Sequence, residues 1–263
     1  MIEKMSSEKK RSDIYGDLDQ KKGIVNSLIP AATVVLLREP DSGQMQVLML
    51  QKNMNISFGG MWVFPGGKID NEDYLQTKGA DGSTGDVSRT VEETEIAAKR
   101  AAVREAEEET GIQLNAENFV SFAHWTPPAS TPKRFATWFY VAVVSADQEV
   151  NVDGGEILNH RWVEPDQALQ LQAEGKIDLA PPTWISLFHV GQYKNAKDVL
   201  SALSEQKDKI YETCIVKNDQ GVRVALWSGD AGYEKEIADI EGERHRLVLE
   251  ESGFIFENTV EQY

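Results

Sequence analysis

The sequence predicts an α+β protein, and three observations carry that reading. Short β-branched apolar runs recur between turn residues, beginning with Ala31–Leu37 and Gln46–Leu50. A long helix-forming stretch without Pro or Gly interrupts them and ends at Gly111. Strand-like runs then return as a small β-rich C-terminal extension after a set of shorter helices.

Taken in order, residues 1–23 are charged and lack a secretory pattern, and they read as a flexible tail. The first two strands flank a turn at Pro40-Asp41-Ser42-Gly43. A loop from Lys52 to Gly60 leads into Met61–Phe64 and the turn Pro65-Gly66-Gly67. Asn71–Arg89, with Gly79, Gly82, Gly85, Asp81 and Asp86 and little apolar content, reads as a surface excursion, mobile or lid-like.

The long helix starts at a capping box, Thr90-Val91-Glu92-Glu93, and stops where Gly111 can adopt the left-handed conformation. Beyond it, Phe119–Trp125 and Phe135–Val144 are further strands, separated by the proline-stiffened loop Thr126–Arg134. His160–Val163 is a short strand and Pro165–Glu174 a helix with Pro in its first turn. A helix from about Leu179 to Val190 and an amphipathic one over Ala196–Lys209 follow. Tyr211–Lys217 with Gly221–Trp227, and Arg244–Glu250 with Phe254–Asn258, read as two hairpins. The expected partition is a tail (1–23), a main domain (24–190, with the insertion at 71–89) and a helix-plus-hairpin extension (191–263).

Glu105, Glu108 and Glu109 fall on one face of the long helix, and Ala98, Ala101 and Ala102 share it. Acidic side chains flanked by small apolar ones sit where the helix packs closely on something. Arg104 reaches Glu108 at i,i+4. Three like charges so close need a compensating cation, and oxygen-only donors suit Mg²⁺ or Mn²⁺. The competing reading is a solvated acidic helix.

Pro65-Gly66-Gly67 followed by Arg104-Glu105-x-x-Glu108-Glu109-x-Gly111-Ile112 resembles the nudix box of the nudix hydrolases, G-x5-E-x7-R-E-U-x-E-E-x-G-U with U apolar. The second half matches at every specified position. Gly67 and Arg104 stand 37 positions apart, 23 more than in the plain motif. Counted back from Arg104, the first Glu of the box falls on Ile96, with Glu95 one step off and Glu72 beyond the insertion, so no residue inherits that role. Phe64–Asp70, the long insertion, His124-Trp125-Thr126-Pro127, Pro132-Lys133-Arg134-Phe135, Glu156 with Arg161-Trp162-Val163, and Leu179–Thr183 further resemble the coenzyme A diphosphatase-like subgroup.

The resemblance implies a nudix fold, with a mixed β-sheet sandwiched between helices, and metal-dependent hydrolysis of a pyrophosphate in a nucleoside diphosphate linked to another group. For the subgroup the substrate is coenzyme A or acyl-coenzyme A, giving adenosine 3′,5′-bisphosphate and (acyl-)4′-phosphopantetheine. ADP-ribose, dinucleotides or nucleoside triphosphates are the alternative substrates, and a non-catalytic nucleotide-sensing module is the alternative class. Glu105, Glu108 and Glu109 are the expected metal ligands, with a carbonyl of Gly66 or Gly67 added. Arg104 orients them, and Glu156 is the candidate fourth carboxylate. Arg134 and Lys68 are candidate substrate contacts, although Arg134 is equally plausible as a surface residue. Trp125 and Trp138 are candidates to stack a base or, more commonly for aromatics near strands, to fill the core.

A net charge of −16 disfavours nucleic acid and anionic membranes as partners and makes an anionic small molecule dependent on metal ions or local Lys and Arg. One cysteine, Cys214, excludes an intrachain disulfide and suits a reducing compartment. The longest apolar run, Leu28–Leu37, is too short to span a bilayer, and the final residues form no peroxisomal or retention signal. A cytoplasmic location is expected, with a homodimer possible through the C-terminal hairpins. Neither a G-x-S-x-G elbow nor a zinc-like His cluster is present.

Overall fold

A computed structural model describes residues 25–41, 43–74, 90–152 and 154–260. The expected tail at 1–23, and positions 75–89 of the expected lid, lie outside the described residues.

Strand β1 (Leu28–Arg38) is the axis of a mixed eight-stranded sheet. On one side it runs parallel to β6 (Arg134–Val143) over its length, from Leu28↔Arg134 to Leu37↔Val143. On the other side two strands share its edge. β2 (Gln46–Lys52) is antiparallel at Leu37↔Val47, while β4 (Gly66–Lys68) is antiparallel at Ala32↔Gly67. Beyond β2 lie the short β3 (Trp62–Val63) and β7 (Ile157–Val163). On the far side, β5 (Val120–Thr126) pairs antiparallel with β6. The turn expected at Pro65–Gly67 is thus followed directly by a sheet strand. Val34 donates its N–H to the Pro65 carbonyl at 3.0 Å and the Thr33 hydroxyl donates to the same oxygen at 2.6 Å, which fixes the glycine pair against β1.

The alternation of β1 separates two cores. Ala32, Val34 and Leu36 face helix α1 (Val91–Thr110), whose Ala97, Ala98, Ala101, Ala102 and Ala106 are buried against them. The small side chains bring the helix backbone close to the sheet. Val35 and Leu37 face the other way, with Phe122, Trp125 and Phe139, towards α3 (Pro181–Gly191) and α4 (Ala196–Glu205). Helix α2 (Pro165–Ala173) packs beside α3. No helix among the described residues is long and apolar enough to cross a membrane.

The two hairpins expected in the C-terminal segment are present, joined in a single sheet. The run expected as one strand over Tyr211–Lys217 divides at Thr213, whose N–H is drawn to the Thr126 carbonyl at 2.9 Å. Its first part, β8 (Lys209–Glu212), joins the main sheet parallel to β5. This is also why α4 ends at Glu205, short of the expected Lys209. The second part, β9 (Cys214–Lys217), forms a four-stranded antiparallel sheet with β10 (Arg223–Leu226), β11 (His245–Glu250) and β12 (Gly253–Asn258), in the order β12-β11-β10-β9. Tyr211 stacks on Trp125 at 3.8 Å and 7°, and Trp227 meets both rings edge-on at 5.6 and 5.1 Å. The two sheets therefore share one aromatic core.

Candidate active site

Helix α1 is terminated at both ends as its sequence requires. The Thr90 side chain accepts from the Glu93 N–H while the Glu93 carboxylate accepts from the Thr90 N–H, and Gly111 sits at φ 72°. The last turn contains no basic residue. Glu105, Glu108 and Glu109 thus stand near the negative end of the helix dipole, which adds to their mutual repulsion and to the demand for a cation.

The structure handles the three carboxylates in three ways. Glu109 is almost fully enclosed, with a side chain 5% exposed. It accepts from the Gly66 N–H at 2.9 Å and from Lys52 Nζ at 3.2 Å. Burial pushes its carboxyl up to about 7, against the opposing pull of Lys52 and the Gly66 N–H. Glu105 is partly buried and lies directly against Gly67, where an added Cβ would come within 2.3 Å of its carboxyl carbon. Arg104 Nη1 donates to it at 2.9 Å, and burial raises its pKa against that pull. Glu108, 60% exposed, receives the same Nη1 at 3.4 Å. Gly66, at φ 155°, admits no side chain either, because a Cβ there would lie 2.4 Å from the Ala32 carbonyl oxygen.

Arg104 is itself held by a residue that the sequence reading missed. Asp73, 5% exposed, accepts from Arg104 Nε at 3.1 Å and Nη2 at 2.8 Å, and the Lys68 carbonyl accepts from Nη2 at 3.0 Å. Asp73 also accepts from the Asp70 N–H at 2.8 Å, closing a turn. The signal was present. Counted forward from Gly67, the form G-x5-E lands on Asp73, a shorter carboxylate in the place of the box's first Glu. Counting back to Ile96 fails because the extra residues lie between this carboxylate and Arg104, and Ile96 is exposed. Asn71–Tyr74 accordingly form the turn that anchors the guanidinium, where the sequence suggested the start of a surface excursion. The paired carboxylate raises the Arg104 pKa above its ordinary value.

These groups border one cavity of about 1,120 Å³. Lys52, Gly66, Gly67, Lys68, Arg104, Glu105, Glu108 and Glu156 line its charged end. Glu156 precedes β7, and its carboxylate is 3.8 Å from Lys52 Nζ. The Lys68 side chain is exposed on β4. The lining also includes the apolar side chains Phe64, Phe135, Phe139 and Pro182. Lys133 spans the mouth and donates to the Ser57 hydroxyl at 2.9 Å, beside Phe58 and Phe135 at 6.0 Å.

Three of the expected site groups are set as follows. Arg134 is not among the residues lining the cavity, and its Nε donates to the Pro127 carbonyl at 2.9 Å. Alternation explains this, since Phe135, Thr137 and Phe139 of β6 face the cavity, as does Lys133 just before the strand. Glu109 likewise does not line the cavity but lies behind Lys52. Among the described residues, no three His, Cys, Asp or Glu side chains are gathered as a ready-made metal cluster, so the expected triad of ligands is not preassembled. Arg104 Nη1 bridges Glu105 and Glu108, while Glu109 pairs with Lys52. Of the aromatic candidates, Trp125 borders the cavity with Tyr211 stacked on its ring, and Trp138 packs edge-on against His124 at 4.4 Å.

The fold and the glycine–helix arrangement define a class. The chain has the nudix fold, α+β, with a mixed sheet and, among the described residues, four helices. Residues 89–183 match the NUDIX domain family model, starting just before α1 and so beyond the inserted residues that part the glycine pair from the helix. Over 208 residues the chain is 25% identical to a Caenorhabditis elegans protein named "Putative nudix hydrolase 7", covering 65% of this chain and 63% of that one. The alignment thus spans less than two thirds of the relative's length. A crystal structure of a NUDIX hydrolase from Alicyclobacillus acidocaldarius superposes with a TM-score of 0.55 at 19% identity, covering 69% of this chain and 99% of that chain.

Proposed function

We propose that this protein is a metal-dependent nudix hydrolase that cleaves the pyrophosphate of a nucleoside diphosphate linked to a second group. The observation that carries the reading is the meeting of Glu105, Glu108 and Glu156 with the Gly66–Gly67 strand at one end of a cavity much larger than a diphosphate. The residues fit a divalent ion of the Mg²⁺ or Mn²⁺ type. Their donors are all hard oxygens, Gly67 leaves the space beside Glu105 that a side chain would fill, and carboxylates outnumber the local cations. Glu105, Glu108 and Glu109 would hold such an ion together with a glycine carbonyl. A bound divalent cation neutralises the diphosphate and makes water nucleophilic at neutral pH.

The chain's own residues do the rest. Asp73 holds the Arg104 guanidinium, which spaces Glu105 and Glu108. Lys68 and Lys133 face the phosphates from the β4 side and from the mouth. Glu156, 60% exposed at the cavity rim, is the base that takes a proton from the attacking water. Water attacks one phosphorus in line. Coenzyme A or an acyl-coenzyme A is the favoured substrate, on the short motifs shared with that subgroup and on the apolar side chains in the cavity lining. ADP-ribose and dinucleotides use the same chemistry. A nucleotide-sensing role without cleavage is disfavoured, because the three carboxylates of the helix half of the box, Glu105, Glu108 and Glu109, are retained.

The test is a substrate panel with mass-spectrometric identification of products, run with Mg²⁺ or Mn²⁺ and with chelator. Metal-dependent release of adenosine 3′,5′-bisphosphate from coenzyme A is the expected result, with Glu108→Gln lowering turnover by about 10²-fold or more at unchanged melting temperature. Product formation that survives both chelator and Glu108→Gln refutes the metal mechanism.

A further inference from the structure

Lys52 occupies a position that no motif assigns. It is the last residue of β2, next to the register shift at Gln51/Lys52 in the β2–β7 pairing. Its backbone is clamped on both sides, with Lys52 N–H donating to Met61 at 3.0 Å and its carbonyl accepting from Gly60 at 3.0 Å. The residue left over by that shift is Leu158 of β7, so β2 itself stays regular up to Lys52. Here Nζ is set 3.2 Å from Glu109 and 3.8 Å from Glu156, on a side chain 14% exposed. Lys52 lines the cavity and Glu109 does not. The ammonium therefore stands between the most deeply buried carboxylate of the nudix box and the space where a substrate would lie.

We propose that Lys52 is a built-in counter-ion of the acidic site, which leaves Glu109 when a divalent cation binds and turns its ammonium into the cavity towards the substrate's phosphates. The inference rests on the metal-dependent reading above. Both Glu109 oxygens are already taken, Oε1 by Lys52 and Oε2 by the Gly66 N–H, so a divalent ion on Glu109 competes with the ammonium, and a four-carbon stem lets Nζ move while the backbone stays fixed. The cavity wall beside it is the side on which a diphosphate brings negative charge. Binding of the divalent ion then exposes a positive group for the phosphates, and the free protein does not leave Glu109 unpaired.

The test follows free Mn²⁺ by electron paramagnetic resonance during titration of the full, substrate-free chain. Lys52→Met is expected to bind Mn²⁺ at least about 10-fold tighter than wild type, since the competitor is gone, and Lys52→Arg to bind it no tighter. In the presence of saturating Mn²⁺, Lys52→Met is expected to bind inorganic pyrophosphate about 10-fold more weakly than wild type. A second measurement needs no variant. Amine acylation of the wild type, read by peptide mass spectrometry, is expected to label Lys52 faster once Mg²⁺ is added. Mn²⁺ uptake that is equal or weaker in Lys52→Met, or Lys52 labelling that Mg²⁺ leaves unchanged or slows, overturns the counter-ion role while leaving the metal reading intact. Absence of Mn²⁺ uptake by both proteins overturns the metal reading and this inference with it.

Discussion

At the residue scale the site is governed by how few cations serve many carboxylates. Glu109 carries a direct consequence for pH. Its folded carboxyl stands at about 7 against an ordinary 4.5, so between these values the folded protein binds more protons than the unfolded chain. This contribution to stability is fully present below pH 4.5 and is lost as pH rises through 7. In chelator, the melting temperature of Glu109→Gln relative to wild type is expected to rise across that window, by roughly 5 °C. A flat difference in thermal scans from pH 4.5 to 8 contradicts it. Asp73 makes the opposite demand, because its charge is what holds Arg104. Asp73→Asn is expected to cost about 2 kcal/mol in urea denaturation and to lower kcat about 10-fold by freeing the guanidinium. The residues of the helix half of the box were legible because helical spacing alone puts Glu105, Glu108 and Glu109 together. Asp73 was legible only by counting forward from Gly67. Lys52 was not legible at all, since its role comes from burial of a partner 57 positions away.

At the scale of elements, α1 is the piece whose local sequence agrees most fully with its structure. A capping box, an alanine stripe and a C-terminal glycine each state where it begins, faces and ends. Thr90→Ala removes the bond from the Glu93 N–H to the Thr90 hydroxyl, while the Thr90 N–H still donates to the Glu93 carboxylate, and is expected to cost about 1 kcal/mol by denaturant titration, with metal-dependent activity retained. The cap is remote from the carboxylates, so a large loss of turnover would show that the inserted turn communicates with the site. Strands β1, β2, β5 and β6 were equally readable from β-branched runs. β4 was not, because a strand of two glycines and a lysine has no apolar pattern and exists through its pairing with Ala31–Thr33. The parting of Tyr211–Lys217 between two sheets was hidden for a similar reason. Local propensity says strand on both sides of Thr213, and only the free edge of β5 decides which sheet the first half joins.

For the whole molecule, alternation of apolar residues announced a sheet with two covered faces, and the helices that cover them were placed by their own punctuation. What the sequence left unstated was that the C-terminal sheet is part of the same body. Tyr211, Trp227 and Leu247 belong to the core that contains Trp125 and Phe139, on which one wall of the cavity is built. β8 also satisfies the outer backbone groups of β5 along Ala123–Thr126. A chain stopped at Gln206 would lose that neighbour and lay bare a hydrogen-bonding rim in an aromatic-rich segment. Such a rim recruits another copy of itself, so the shortened protein is expected to emerge from size-exclusion chromatography as multimers, whereas the intact chain does not assemble through β5. The closing strand of the main sheet is thus a shield against aggregation, supplied from what the sequence alone presents as an appendage.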